Sequence, residues 1–521
     1  MSYLNDHRSA AAESQEVFLL QPPFSFFDFI EERFGDYESI RRTFSLARSS
    51  SAETLILERI PPCGIIAEEN QDIIGRYPSY SNTGLLRLSF WNKTIPYEGV
   101  SALTSNDLVG YAIFKRDQIA DDDFDEWHIF EAVFSKNTNP SNCVPHPATY
   151  RIMVGGVPFE IKGLLYCQQN SLNKACAQVA FRSLLSRVLP EGDISYRRIN
   201  EIATTVNSGY VPGQGLTVPQ MREVLSALNI RFNDIDYSQA DAQLRKELPF
   251  QKYAYAGLES GGGALVGFRF AGIGLQEEAK HIIPIYGHTF DKDTWAPNAD
   301  ISYFHIGEGV GYVPSESWTS SYLGHDDNFG PNFCIPRLYI ENDKVEYVVE
   351  LFRPGICYSG MQAEALALNV LYSLLPNIGG ADNKWITRLF EWTSKQQVVF
   401  RAQAMSTEEY ITHLRGLRDW DNNGENPELC KLLGQEMPEY IWAVEVSTPQ
   451  LFPANERKLG EIVLDATREL DLTDDASLNE DFIFARLPGV YLLGGEISNG
   501  NPQFTPVPSQ LLSHTELIKY L

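Results

Sequence analysis

The stretch from Cys176 to Val188 constrains this chain more than any other. After Cys176 the apolar residues fall at Ala177, Ala180, Phe181, Leu184, Leu185 and Val188, the three-and-four spacing of a helix that buries one face. Ahead of it runs a polar loop, Gln168-Gln169-Asn170-Ser171-Leu172-Asn173-Lys174-Ala175, in which Asn173 and Ser171 are candidate helix caps. Cys176 is therefore expected in the first turn of an inward-packing helix, where unpaired amides and the helix dipole favour a thiolate. A lone cysteine on a helix more often fills space. What lifts this one above packing is the company it keeps further along the chain.

With 521 residues the chain is too long for one ordinary core, so several domains are expected. Its net charge of −26 argues against nucleic acid, which is bound through Lys and Arg, and against an anionic membrane surface. Seven cysteines stand at 63, 143, 167, 176, 334, 357 and 430. The odd number and the absence of a CxxC pair fit free thiols in a reducing compartment. The first residues are polar, with no apolar core of signal-peptide length, and no apolar run of about 18 residues occurs. A cytoplasmic protein is the expectation.

In chain order, residues 1–15 read as disordered and 24–47 as a helix. Strands are expected at 54–60, 85–91 and 108–114, and Asp121 to Glu126 reads as a solvated acidic loop without the ligand spacing of a calcium site. Residues 150–154 and 157–161 look like a hairpin across Gly155-Gly156. Helices follow at 196–206, at 218–229 behind a Thr217-x-x-Gln220 capping box, and at 238–248. Gly261-Gly262-Gly263 breaks the chain before a strand at 264–270. His281 opens an apolar strand that ends at Tyr286-Gly287, and a third polar landmark runs from Tyr322 through His325-Asp326-Asp327 to Pro331. Beyond 336, helices are expected at 361–375, 385–398 and 406–417, a loop at 419–427, and strands at 439–447, 461–465, 482–485 and 490–493. The fold class is α+β: a disordered 1–15, an N-terminal α+β region at 16–160, a central domain at 161–335 and a C-terminal α+β region at 336–521.

A cysteine nucleophile needs a base, a group that orients the base, and donors for the oxyanion. The chain offers Cys176, then His281, then a carboxylate at Asp326 or Asp327, with Gln169 or Gln168 as an amide donor upstream. Gln169 ahead of Ala175-Cys176-Ala177, the Thr217-capped helix, the glycine break, the His281 strand and the later His325-Asp326-Asp327 together resemble the papain-like cysteine peptidase superfamily. Within it they are most similar to the double-glycine-leader peptidases that process bacteriocins and their bacterial relatives. The resemblance covers residues 160–335. It implies a papain-like core in which Cys176 is the nucleophile, His281 the base, Asp326 its orienter with Asp327 in reserve, and Gln169 the oxyanion donor with Gln168 in reserve.

The expected function is a cysteine hydrolase, a peptidase or isopeptidase that works through a thioester acyl-enzyme. Transfer of the acyl group to an amine, as in transglutaminase-like relatives, stays open, as does an inactive papain-like scaffold, since Ala175 and Ala177 depart from the family's usual neighbours. The expected partner is a peptide or protein substrate, with a further protein docking on the flanking regions. His281, His288, His305 and His325 match no zinc spacing, residues 291–300 lack the glycine and glutamate of an EF-hand, and the three glycines lack the Lys-Ser/Thr of a phosphate loop. No metal and no cofactor are expected.

Overall fold

The computed structural model describes residues 6–95, 99–135, 143–172, 176–190, 192–206, 215–271, 278–292, 310–378, 384–395, 397–415, 437–470, 481–488, 490–498, 501–508 and 515–518. It is a mixed α+β structure, 32% helix and 38% strand, with curled antiparallel sheets. Two compact units interleave along the chain. Unit 1 takes Met1–Ile230, Leu265–Gly287 and Leu323–Ile335, and unit 2 takes Arg231–Ala264, His288–Tyr322 and Pro336–Leu521. Compaction thus places the N-terminal sheet and the Cys176 helix in one unit.

Unit 1 begins with β1 (Ser14–Leu19), α1 (Phe26–Phe34), α2 (Glu38–Ser49), β2 (Thr54–Arg59), α3 (Gly64–Arg76), β3 (Tyr80–Trp91), β4 (Leu108–Ile119), β5 (Phe124–Ser135), β6 (Ala148–Val154) and β7 (Val157–Tyr166). Its strands form one antiparallel sheet in the order β1-β2-β3-β4-β5-β7-β6. Both faces are apolar. Ile56, Trp91, Phe159 and Val179 belong to one core cluster, while Leu55, Leu57, Phe90 and the α1 and α2 residues Phe29 and Phe44 belong to the other. That is the period-two alternation of a sheet buried on both sides.

Four expectations for this region need correction. The helix expected over 24–47 is two helices, because Gly35 takes a φ of +81° and its N–H turns back to the carbonyls of Ile30 and Glu31. The acidic run is a solvated turn only over 121–123, since β5 begins at Phe124 and Asp125 Oδ2 lies 2.6 Å from Arg116 Nη2 on the neighbouring strand. Residues 6–15 are not disordered: His7 and Arg8 are buried, and β1 starts at Ser14. Ser171 is no helix cap, because its hydroxyl donates to Glu126 Oε2 at 2.7 Å. The hairpin stands as read, with Gly155 and Gly156 at φ of +56° and +79°, the left-handed pair that such a turn requires.

The chain continues through α4 (Cys176–Val188), α5 (Tyr196–Val206) and α6 (Val218–Ala227). Helix α6 carries the expected capping box, in which the Thr217 amide donates to Gln220 Oε1 at 2.8 Å. It next enters unit 2 for β8 (Phe232–Asp236), α7 (Ala242–Glu247) and α8 (Phe250–Glu259). Then come β9 (Gly261–Ala271), β10 (Glu278–Phe290), β11 (Val313–Pro314), β12 (Thr319–Asp326) and β13 (Gly330–Pro336). Strand β9 starts inside the glycine triplet rather than after it, and β10 starts three residues before His281. In unit 1 these strands lie in the order β13-β12-β10-β9. A Cβ on Gly324 would meet the Pro284 carbonyl oxygen at 2.9 Å, so glycine there lets β12 seat against β10.

The rest of unit 2 comprises β14 (Val345–Phe352), α9 (Gly360–Ile378), α10 (Lys384–Ser394), β15 (Val399–Ser406), α11 (Thr407–Arg415), β16 (Tyr440–Ser447), β17 (Arg457–Lys458), β18 (Gly460–Asp465), β19 (Phe482–Leu487), β20 (Val490–Ser498), β21 (Asn501–Pro508) and β22 (Thr515–Glu516). Its main sheet runs β11-β15-β16-β18-β19-β20-β21, with Leu366, Ala367 and Val370 of α9 in one core cluster with Phe400 and Trp442 of β15 and β16. Among the described residues no helix is long and apolar enough to cross a membrane. Asn173, Ala175, His305, Cys430, the segment 293–300 and the 419–427 loop lie outside the described residues.

Candidate active site

Cys176 opens α4, as its spacing predicts, and is half-buried. The expected thiolate is not its resting form. Burial lifts the thiol up to about 11, and the Asp327 carboxylate pushes it the same way. The backbone amides of Ala177 and Cys176 pull it down, as helix-terminal donors should, but do not win.

His281 lies near the start of β10, with its side chain only 8% exposed. Its Nε2 is 3.2 Å from Asp326 Oδ2 and 3.5 Å from Asp327 Oδ1. Burial opposes the imidazolium, yet the Asp326 hydrogen bond and the charges of Asp327 and Asp326 outweigh it, so His281 titrates above an ordinary histidine. Asp326 ends β12 and is fixed from behind. Its Oδ1 accepts the Asn328 amide at 2.9 Å, which closes the turn and aims Oδ2 at the ring.

Asp327 follows at the first position of the turn and is 7% exposed. Burial pushes its carboxyl up to about 6, even though His281 draws it down. The backbone amides of Asp327 and Asn328 draw it down as well, no described side chain donates a hydrogen bond to its oxygens, and its backbone carbonyl accepts the Tyr166 hydroxyl at 3.5 Å. One carboxylate thus acts on both the sulfur of Cys176 and the imidazole of His281. Reading Asp327 as a mere reserve for Asp326 misses this. The consecutive acids at a strand end were the signal, since a turn can aim two adjacent carboxylates at one group.

The glutamines divide their roles. Gln168 Oε1 accepts the Ile129 amide at 2.9 Å and the Ser39 hydroxyl at 3.0 Å, which ties β5 to α2. Gln169 makes no hydrogen bond to a described residue, and it helps wall a cavity of about 700 Å³ together with Val179, one turn beyond Cys176. Asp72 and Arg76 of α3, Tyr196 and Asn200 of α5, and Gln168 line it as well, whereas Cys176, His281, Asp326 and Asp327 are not among its lining residues. His325, although it stands beside Asp326 in the chain, belongs to packing. Its Nδ1 accepts the Asn332 amide at 3.2 Å between the rings of Tyr166 and Tyr286, and burial holds it neutral, down to about 3.

The chain matches no protein-family model, no curated protein and no solved structure.

Proposed function

We propose that this protein is a cysteine hydrolase with a papain-like core, acting on a peptide or isopeptide bond. The observation that carries the reading is the His281 Nε2 contact with Asp326 Oδ2 at 3.2 Å, on neighbouring strands, with Cys176 at a helix start and coupled to the same pair through Asp327. With Nε2–H donated to Asp326, the imidazole keeps its lone pair on Nδ1, the atom that would take the thiol proton. Because the thiol rests protonated, proton removal and attack go together. Sulfur bonds to the carbonyl carbon, the amine leaves with the proton from His281, and water then releases the acid from the thioester. The amides of Cys176 and Ala177, with Gln169, are the oxyanion donors in this reading.

The six described cysteines are free thiols, in keeping with the reducing, cytoplasmic setting proposed here. A thiol lifted to about 11 also favours a second reading, a papain-like scaffold that binds a partner without turnover. A peptidyl chloromethyl ketone separates the two. The hydrolase modifies Cys176 before any of its other cysteines, including exposed Cys334, and loses that preference in His281→Ala. Modification of Cys334 first, unchanged by His281→Ala, contradicts it.

A further inference from the structure

The His281–Asp326–Asp327 group brings a second carboxylate to a nitrogen that already has a hydrogen-bond partner in Asp326. Charge-assisted N–H···O contacts are usually about 2.7–2.9 Å long. Here both carboxylates approach the same nitrogen at 3.2 and 3.5 Å. A tetrahedral cation with bonds of about 2.0–2.1 Å holds its ligands roughly 3.3 Å apart, the edge of that polyhedron. The two N···O distances match that edge, and one nitrogen and two carboxylate oxygens lie within 4.8 Å of one another, close enough to face one cation.

Asp327 supplies an independent observation. It is 7% exposed, no arginine, lysine or hydroxyl side chain among the described residues reaches its oxygens, and one of them faces His281 Nε2 at 3.5 Å. A buried carboxylate left so is costly unless something neutralises it. The outer contacts are already those of a ligand set, since the Asn328 amide fixes Asp326 through the oxygen that faces away. A second His-and-two-acid group, His7 with Glu131 and Asp193, shows what a closed version looks like. There Arg8 Nε reaches Glu131 Oε1 at 2.7 Å, and Arg182 Nη2 reaches Glu131 Oε2 at 2.7 Å, so guanidinium heads occupy the centre. No arginine or lysine is paired with Asp326 or Asp327 among the described residues.

We propose that His281, Asp326 and Asp327 form a site for a divalent transition cation of the zinc type, and that its occupancy silences Cys176. One nitrogen and two carboxylates suit such an ion. Binding takes the Nε2 lone pair, so the imidazole proton moves to Nδ1, and Nδ1 can no longer accept the thiol proton. The silencing rests on the hydrolase reading above, whereas the binding does not.

The test is calorimetric titration of the full chain, freed of metal with a chelator, with zinc chloride. The proposal expects one saturable site per chain. Asp327→Asn and His281→Gln, each checked for folding by circular dichroism, should weaken it at least about tenfold, and Cys176→Ala should leave it intact. Absence of a saturable site overturns the proposal, as does undiminished binding in the two folded ligand variants, or loss of binding in Cys176→Ala. Chloromethyl ketone labelling with and without zinc keeps the two readings apart. If zinc binds as expected but Cys176 is not preferred in the metal-free chain, the hydrolase reading fails and the site stands. Preferred labelling of Cys176 that zinc does not slow overturns the silencing.

Discussion

Unit 1 holds two groups of the same composition, one histidine and two acids, and they have opposite fates. Around Glu131, the charges of Arg8, His7 and Arg182 overcome burial and hold the carboxyl well below its ordinary range; Asp193 is held down likewise by Arg182 and Arg8. Around His281 no described arginine or lysine is paired with either acid, and Asp327 is pushed up to about 6 instead. The first group spends its polarity on stability, tying His7 and Arg8 near the N-terminus to β5. The second sets one imidazole against two carboxylates beside a sulfur. A buried polar cluster is a fastening when its charges cancel and a candidate site when they do not.

The sharpest way to break this comparison is to remove a guanidinium from the closed group. Arg182→Met leaves Glu131 and Asp193 buried without a full counter-charge and should cost about 3–5 kcal/mol in urea unfolding. A loss under about 1 kcal/mol would show that the cluster is no fastening. Acid should act on the same group, because depressed carboxyl values contribute stability that is present above the ordinary carboxylate range and lost as pH falls through the folded values. Unfolding followed from pH 6 down to 2 should show that loss, and Glu131→Gln should reduce it.

The open group should respond with the opposite sign. A carboxyl raised to about 6 contributes stability that is complete below about 4 and lost as pH rises through 6. In chelator, Asp327→Asn should therefore stabilise the chain at pH 7.5 by on the order of 1–2 kcal/mol and have little effect at pH 4. Urea titrations at the two pH values check this. The smallest effect concerns reactivity. Removing the Asp327 charge lowers the Cys176 thiol, so iodoacetamide should modify Cys176 in metal-free Asp327→Asn a few-fold faster at pH 8, with Cys334 unchanged as the internal reference.

The sequence announced the open group better than the closed one. Cys176 begins α4 at the residue its spacing names, and His281 and Asp326 meet on adjacent strands, because strand ends bounded by glycine are visible in one dimension. The anchor at His7 and Arg8 was not visible. A buried ion pair has no periodicity, and two polar residues near a terminus look the same whether solvated or paired with Glu131. The 24–47 helix broke at Gly35 because one left-handed residue outweighs an apolar stripe that continues across it. The protonated Cys176 thiol escaped for a third reason, since helix position argues for a thiolate and only burial with Asp327 nearby, facts of three dimensions, reverses it.

The account depends on the sulfur of Cys176 and the ring of His281 facing one another. Carboxymethylating Cys176 with iodoacetate puts an anion where the thiol was, and NMR of labelled histidine then reads the His281 titration, assigned through His281→Ala. The account predicts that His281 moves up by about one pH unit relative to Cys176→Ala treated alike, the effect of an opposite charge within about 4–6 Å. An unmoved His281 would place the two groups apart and contradict it.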